Sequence, residues 1–284
     1  MEHRLAYVPF GYTFLTRLHN YRGLAGFLIQ EVLPVLLVVR FVNWNSWPIT
    51  LLSFWLFHSL YEIGYLVNDE RDRTAAGEAN RLGTLKVQFR SFVIVRAACS
   101  IFFFVAISSI STVYSAACSL LLSVFMLALL LAHSRRELLP HKDVRIVTFA
   151  SLAFYKYIPV FVAALGWLNT WIVTATIFMV YGLPRVLIYT MRKCGDSKIK
   201  AQAQTNTAVA GAVLLMTSPL LALAISGTSQ GRLVALVWLI YATNWICLAL
   251  ARKARNLIMC SRAAFLPERN GSLDKQRAVN RLSA

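Results

Sequence analysis

Apolar residues in this chain neither alternate nor fall into narrow stripes. They run in blocks of about twenty, the length a helix needs to cross a hydrocarbon layer of about 30 Å. Eight windows qualify, at 23–43, 47–67, 88–109, 112–133, 146–166, 169–189, 206–226 and 231–251. The gaps between them alternate in kind. Those near 43–47, 109–112, 166–170 and 226–231 are short and hold no acidic or basic residue, whereas those near 68–87, 134–145 and 190–205 are longer and charged. The pattern predicts an all-α fold, a polytopic membrane bundle of eight transmembrane helices. A ninth crossing would need residues near 254–267 to insert, and Arg255 and Arg262 favour an interfacial helix there instead. The organisation expected is an N-terminal cytoplasmic or interfacial segment at 1–22, a transmembrane domain at 23–251 and a basic cytoplasmic tail at 252–284. Pro9 and Gly11 weaken a helix within the first segment.

Composition agrees with this reading. Of 284 residues 58% are hydrophobic and 14% charged, and mean hydropathy is +0.59. A soluble domain carries about 25% charged residues, and disorder requires low hydrophobicity. The excess of 29 Lys and Arg over 12 Asp and Glu gives a net charge of +17. In a soluble protein that excess would suggest nucleic acid. Here 24 of the 29 basic residues fall in 1–22, 68–90, 134–145, 190–205 and 252–284, which lie on one face of an eight-crossing chain. Such a distribution orients helices and meets anionic lipid, so no nucleic-acid partner is expected and both termini are placed in the cytoplasm. The expected location is that of a multi-pass integral protein in a membrane of the bacterial inner-membrane type. Five scattered cysteines, with no CxxC pair, argue against a zinc site or a disulfide framework. The opening Glu2, His3 and Arg4 do not resemble a cleavable leader.

With so few acids, their placement is informative. Asp69, Glu70, Asp72 and Glu78 lie within ten residues of one cytoplasmic loop. Asp69 and Asp72 are three apart and share a helical face. Two carboxylates with an amide beside them suit Mg²⁺, which takes one or two carboxylates together with substrate phosphate oxygens. His58, Glu62, Tyr65, Asp69 and Asp72 follow steps of 4, 3, 4 and 3, so a polar stripe runs from mid-membrane to the acidic loop. An acid such as Glu62 is costly in lipid, which places it against protein or a wet cavity. The expectation is a cavity lined by Glu62 and Tyr65, continuous with Asp69. Glu31 and Lys156 are also intramembrane, and a Glu–Lys pair that only ties helices together is the alternative. Basic residues gather at the expected mouth: Arg81, Lys86 and Arg90; then Arg135, Arg136, Lys142 and Arg145; then Arg185, Tyr189, Arg192 and Lys193, with Asp196 beyond. Tyr181, Arg185, Tyr189 and Arg192 share one face. Carboxylates, a divalent cation and converging Arg and Lys form a phosphate-handling pattern. The residues expected to meet substrate are Glu62, Tyr65, Glu78, Arg81, Lys86, Arg136, Lys142, Lys156, Tyr189, Arg192, Lys193 and Asp196.

The run Asn68-Asp69-x-x-Asp72, closing the second window, resembles the first aspartate-rich motif of the UbiA superfamily of intramembrane prenyltransferases. That motif reads NDxxDxxxD. Here Ala76 stands at its last Asp position, with Glu78 nearby. The second aspartate-rich motif of the family follows the sixth helix, where this chain offers only Asp196 among cations. After the fourth helix, Leu139-Pro140-His141-Lys142 keeps the Pro and Lys of a YPxxK-type element without its Tyr. The resemblance implies a UbiA-like bundle and transfer of a prenyl group from a prenyl diphosphate to an acceptor, with release of diphosphate. It implies Asn68, Asp69 and Asp72 as catalytic residues, Mg²⁺ on Asp69 and Asp72, and tyrosines such as Tyr61, Tyr65, Tyr155 and Tyr157 facing a carbocation. Membrane lipid and a diphosphate donor are the implied partners.

The residues leave three other readings open. Phosphoribosyl transfer from its diphosphate donor to a polyprenyl phosphate uses the same leaving group, and an intramembrane terpene cyclase needs no acceptor. An ion-coupled transporter would use Glu31, Glu62 and Lys156 as a path. The eight-crossing arrangement itself is checked with reporter fusions. Those after Asn169 and Ser229 are expected to read external, and those after Glu78, His141 and Ser197 internal.

Overall fold

The computed structural model describes residues 5–18, 21–76, 87–135, 137, 141–194 and 203–265. Among these residues the chain is helical throughout, with no strand. After an N-terminal segment that contains one helical turn at Gly11–Thr13 and a wider π-helical stretch at Phe14–Leu18, nine helices follow. Helix α1 runs as Tyr21–Phe27, a π-helical turn at Leu28–Val32, and Leu33–Val42. Then come α2 (Trp47–Ala76), α3 (Phe89–Ile110), α4 (Val113–His133), α5 (Lys142–Tyr155) and α6 (Ile158–Ile177). A second π-helical turn at Phe178–Gly182 leads into α7 (Leu183–Cys194). Helix α8 (Ala203–Thr217) tightens into a 3₁₀ stretch at Ser218–Ser226, and α9 spans Ser229–Phe265.

Among the described residues four segments are long and apolar enough to cross a membrane: Gly23–Val42, Phe89–Ile110, Val113–His133 and Ile158–Met191. The outer faces support that reading. On α3 Ile94, Ile101, Phe102 and Val105 are exposed while Arg96 is completely buried, and on α8 Leu215 and Met216 are about 76–80% exposed. Greasy residues outside and a charge inside is the distribution of a protein whose solvent is lipid. Helix α2 fails the apolar criterion because its inner face is polar. It is the central helix, packed against α1, α3, α4 and α6. Lipid supplies no hydrophobic force between helices, so close fit and polar bonds must hold them together. Gly64 lets α2 approach α4 so closely that an added Cβ would stand 2.5 Å from Leu130. Ser119 Oγ of α4 donates to the Pro159 carbonyl of α6 at 2.6 Å.

A straight helix over Ile158–Met191 would be roughly 50 Å long and would carry α7 away from α5. Instead α7 packs on α5. The chain turns back at Gly166, whose φ of 72° and ψ of 170° lie outside the helical region, near the uncharged gap that the hydropathy pattern marks at 166–170. Pro159, lacking an amide hydrogen, accounts for the milder break at 156–157 between α5 and α6.

Both π-helical turns end one residue before a Leu-Pro pair, Leu33-Pro34 and Leu183-Pro184. A proline donates no hydrogen bond to the turn before it, which leaves carbonyls open. Side chains of α9 take them up: Asn244 Nδ2 donates to Ile29 O at 2.7 Å and Trp245 Nε1 to Val180 O at 3.1 Å. The last helix thus repairs two defects on two other helices.

Within the segment 1–22, expected to be cytoplasmic or interfacial, residues 5–18 pack against α2 and α3, with Ala6, Tyr12, Thr13 and Thr16 buried.

Gly166 has open space around it, so substitution there strains the backbone alone. Gly166→Ala is expected to cost about 1–3 kcal/mol, read as a drop of several degrees in the unfolding midpoint of the detergent-solubilised protein.

Candidate functional site

Two charge clusters lie inside the bundle, one on α2 and one on α1. The first is built on Glu62, whose side chain is 0% exposed. Arg96 of α3, equally buried, approaches its Oε2 at 2.6 Å. The same guanidinium donates to the carbonyls of Ala6, Tyr7 and Val8 at 2.9–3.1 Å. Glu62 in turn accepts the backbone N–H of Phe10 at 3.1 Å and of Thr13 at 2.6 Å. It therefore caps the single helical turn at Gly11–Thr13, where amide hydrogens have no partner within the turn. Phe10 holds an unusual left-handed backbone (φ 69°), fixed by that bond and by its ring against Phe27, Trp55 and His58. Glu62 is thus sealed under the N-terminal segment and does not line an open cavity as its place in the polar stripe suggested.

Two turns further along α2, Asp69 is 1% exposed and engaged on both oxygens. Tyr12 Oη donates to Oδ2 at 2.8 Å and Arg17 Nη2 to Oδ1 at 2.7 Å. The Arg17 guanidinium carbon lies 4.4 Å above the Tyr65 ring. Asn68 also hydrogen-bonds to Asp69. Burial pushes the Asp69 carboxyl above its ordinary range, with Arg17, Tyr12 and Asn68 pulling it back in part. The Arg17–Asp69 pair therefore loses its negative partner at a less acidic pH than an exposed pair would. Burial and the neighbouring carboxylate drive the Tyr12 phenol well upward, so it remains a donor across the physiological range.

The second cluster is built on Glu31, inside the first π-helical turn. Its Oε2 accepts Lys156 Nζ at 2.8 Å and Tyr157 Oη at 2.7 Å, and its Oε1 accepts Arg185 Nη1 at 3.1 Å. Arg185 also donates to Gln30 Oε1 at 3.2 Å and to the Tyr181 hydroxyl, and its guanidinium stacks 4.0 Å over the Tyr181 ring. One carboxylate faces two cations, which leaves one positive charge in surplus within the cluster. The cluster is also reachable: the Lys156 side chain is 21% and that of Arg185 35% accessible, against 9% for Glu31. Tyr157, Tyr181 and Tyr241 form an aromatic wall beside it. Tyr61 and Tyr65 of α2 are in edge contact at 4.9 Å, and the Tyr65 ring carries the Arg17 guanidinium. His58 is 3% exposed among Phe10, Phe27, Phe54 and Phe57, and neither ring nitrogen has a hydrogen-bond partner.

The residues expected from the sequence therefore divide. Tyr65, Asn68 and Asp69 come together with Arg17, and Lys156 joins Glu31. Tyr189 of α7 stacks on Phe149 of α5 at 4.3 Å, near His133 and Lys193, as a separate group at the ends of α4, α5 and α7. Lys142 is exposed at the start of α5. Asp72 and Arg192 lie near the ends of α2 and α7. Glu78, Arg81, Lys86, Arg136 and Asp196 lie outside the described residues. Sequence reasoning passed over Tyr12, Arg17 and Arg96 as site residues. A lone arginine in the middle of the 88–109 window was the available signal, because an intramembrane guanidinium must find an acid.

Both oxygens of Asp69 accept hydrogen bonds, and the Arg17 guanidinium occupies the side of it where a cation would stand. Among the described residues no three His, Cys, Asp or Glu side chains are grouped to hold a metal.

These features define a helical protein with segments long and apolar enough to cross a membrane and a charged, aromatic-lined interior. No family model, no curated protein and no solved structure matches the chain.

Removing either partner of the Glu62–Arg96 pair leaves a buried charge alone. Glu62→Gln or Arg96→Leu is expected to cost about 3–5 kcal/mol, and the double variant less than the sum of the two. Unfolding in detergent, read as a double-mutant cycle, measures this.

Proposed function

We propose that the chain is an intramembrane transferase of the UbiA-like kind, with eight crossings and both ends cytoplasmic. It moves the prenyl group of a prenyl diphosphate to an acceptor and releases diphosphate. The observation that carries this reading is the surplus positive charge of the Glu31–Lys156–Arg185 cluster, accessible yet set among tyrosines inside an apolar bundle. Such a place suits a ligand with an anionic head and a hydrocarbon tail.

The chemistry follows from the residues. The allylic C–O bond breaks and its electron pair leaves with the diphosphate. Lys156 and Arg185 stabilise the charge that grows on that leaving group, in surroundings of low polarity where such stabilisation is strong. Glu31 holds both cations in place and keeps them from repelling each other. Tyrosine faces such as that of Tyr157, beside Glu31, would stabilise an allylic cation. The acceptor closes onto that carbon and gives up a proton, for which the departing diphosphate is a suitable base. The resemblance in the Asn68-Asp69-x-x-Asp72 motif also implies Mg²⁺. Asp69 and Asp72 would hold it, and no step above depends on it.

The test incubates purified protein in lipid nanodiscs with a panel of prenyl diphosphates and phosphoribosyl diphosphate, followed by mass spectrometry of the lipids. Prenyl transfer with diphosphate release is expected. Lys156→Ala and Arg185→Ala should each lower kcat by roughly 10²–10³, the usual effect of losing one preorganised charge. Absence of diphosphate release from every donor would overturn the reading.

A further inference from the structure

The second aspartate-rich motif of the resembled family is thin in this chain, and the first aspartate of the remaining motif is covered by Arg17. These two observations have a common explanation. We propose that Arg17 fills the position that the motif assigns to a metal ion, and that it receives a phosphoryl oxygen of the substrate directly. The inference rests on the proposed function above and names the group that meets the substrate's phosphate at the Asp69 end of the site.

The geometry at Arg17 carries the argument. Its guanidinium is oriented on one side by Asp69 (2.7 Å) and from below by the Tyr65 ring (4.4 Å). Its side chain is 16% accessible, so the group is largely desolvated but not sealed. Its Nε is buried and has no hydrogen-bond partner. A buried donor left unsatisfied is costly, and the planar fork of an arginine matches two oxygens of a phosphoryl group. The second oxygen of Asp69 is held by Tyr12, so the carboxylate cannot swing away. The segment that supplies both residues is not a loose flap. Arg96 grips three of its carbonyls and Glu62 two of its amides, which makes Arg17 a fixed part of the site. A metal ion at Asp69 would have to displace a guanidinium that the fold holds from two sides.

The test is ligand binding to purified full-length protein in nanodiscs, using farnesyl diphosphate and inorganic diphosphate as probes, in EDTA and in Mg²⁺. A lipid-borne substrate is distinguished from a free phosphate by which probe binds more tightly. Farnesyl diphosphate is expected to bind in EDTA within about threefold of its affinity in Mg²⁺, and Arg17→Ala to weaken it roughly tenfold or more. Arg17→Lys keeps the charge without the fork and should recover only part of the loss. The loss from Arg17→Ala should exceed that from Asp69→Asn, the reverse of the order a metal site requires. Unfolding midpoints of the Arg17 variants serve as the folding control, and Arg17→Lys keeps the test valid if Arg17→Ala is unstable. Binding that needs Mg²⁺, is abolished by Asp69→Asn and survives Arg17→Ala would overturn the inference while leaving the proposed function in place. Failure of wild-type protein to bind either probe under both conditions would overturn the proposed function, and the inference with it.

Discussion

The ion pair between Glu62 and Arg96 is the constraint on which the rest of the site depends. Both side chains are completely buried, and the cost of taking them out of water is offset by the bonds that each makes to the backbone of the N-terminal segment. Arg96 takes the carbonyls of Ala6, Tyr7 and Val8, and Glu62 takes the amides of Phe10 and Thr13. The backbone of the N-terminal segment thus completes the pair, and the pair in turn fixes where Tyr12 and Arg17 stand. That is why Asp69, two turns along the same helix, meets a phenol and a guanidinium rather than water.

Glu31 plays the corresponding part at the other cluster. It sits in a π-helical turn, and its two oxygens gather groups from the α5–α6 junction and from α7. The widened turn has a local cause in Pro34, and its open carbonyl at Ile29 is answered by Asn244 of α9. Tyr181 lies in the matching turn before Pro184, answered by Trp245. Backbone irregularity inside a membrane survives only where protein groups satisfy it. Here both irregularities flank the surplus positive charge, so the same prolines that disturb the helices also position the groups that would hold an anion.

The two clusters differ in use. The Glu62 cluster is sealed, and it fixes the N-terminal segment. The Glu31 cluster is partly accessible and unbalanced in charge, as the anionic head of the proposed substrate would require. Arg17, on the segment that the first cluster fixes, stands beside Asp69 and Tyr65.

Much of the helical architecture was legible in the sequence, because helices surrounded by lipid must be continuous apolar blocks and their turns must be short or charged. The reversal at Gly166 follows from the gap near 166–170 for that reason. The polar stripe His58, Glu62, Tyr65, Asp69 on α2 was legible too, since helical periodicity alone puts those residues on one face. What periodicity could not decide was the partner of each. Glu62 meets Arg96 and not Lys156, Glu31 meets Lys156 and Arg185, and Asp69 meets Arg17 from 52 residues away. Those choices depend on how helices from distant parts of the chain pack and on an N-terminal segment that has no hydrophobic periodicity of its own. Buried charges must be paired, which the sequence by itself determined; which charges pair is set by distances that only the tertiary structure creates.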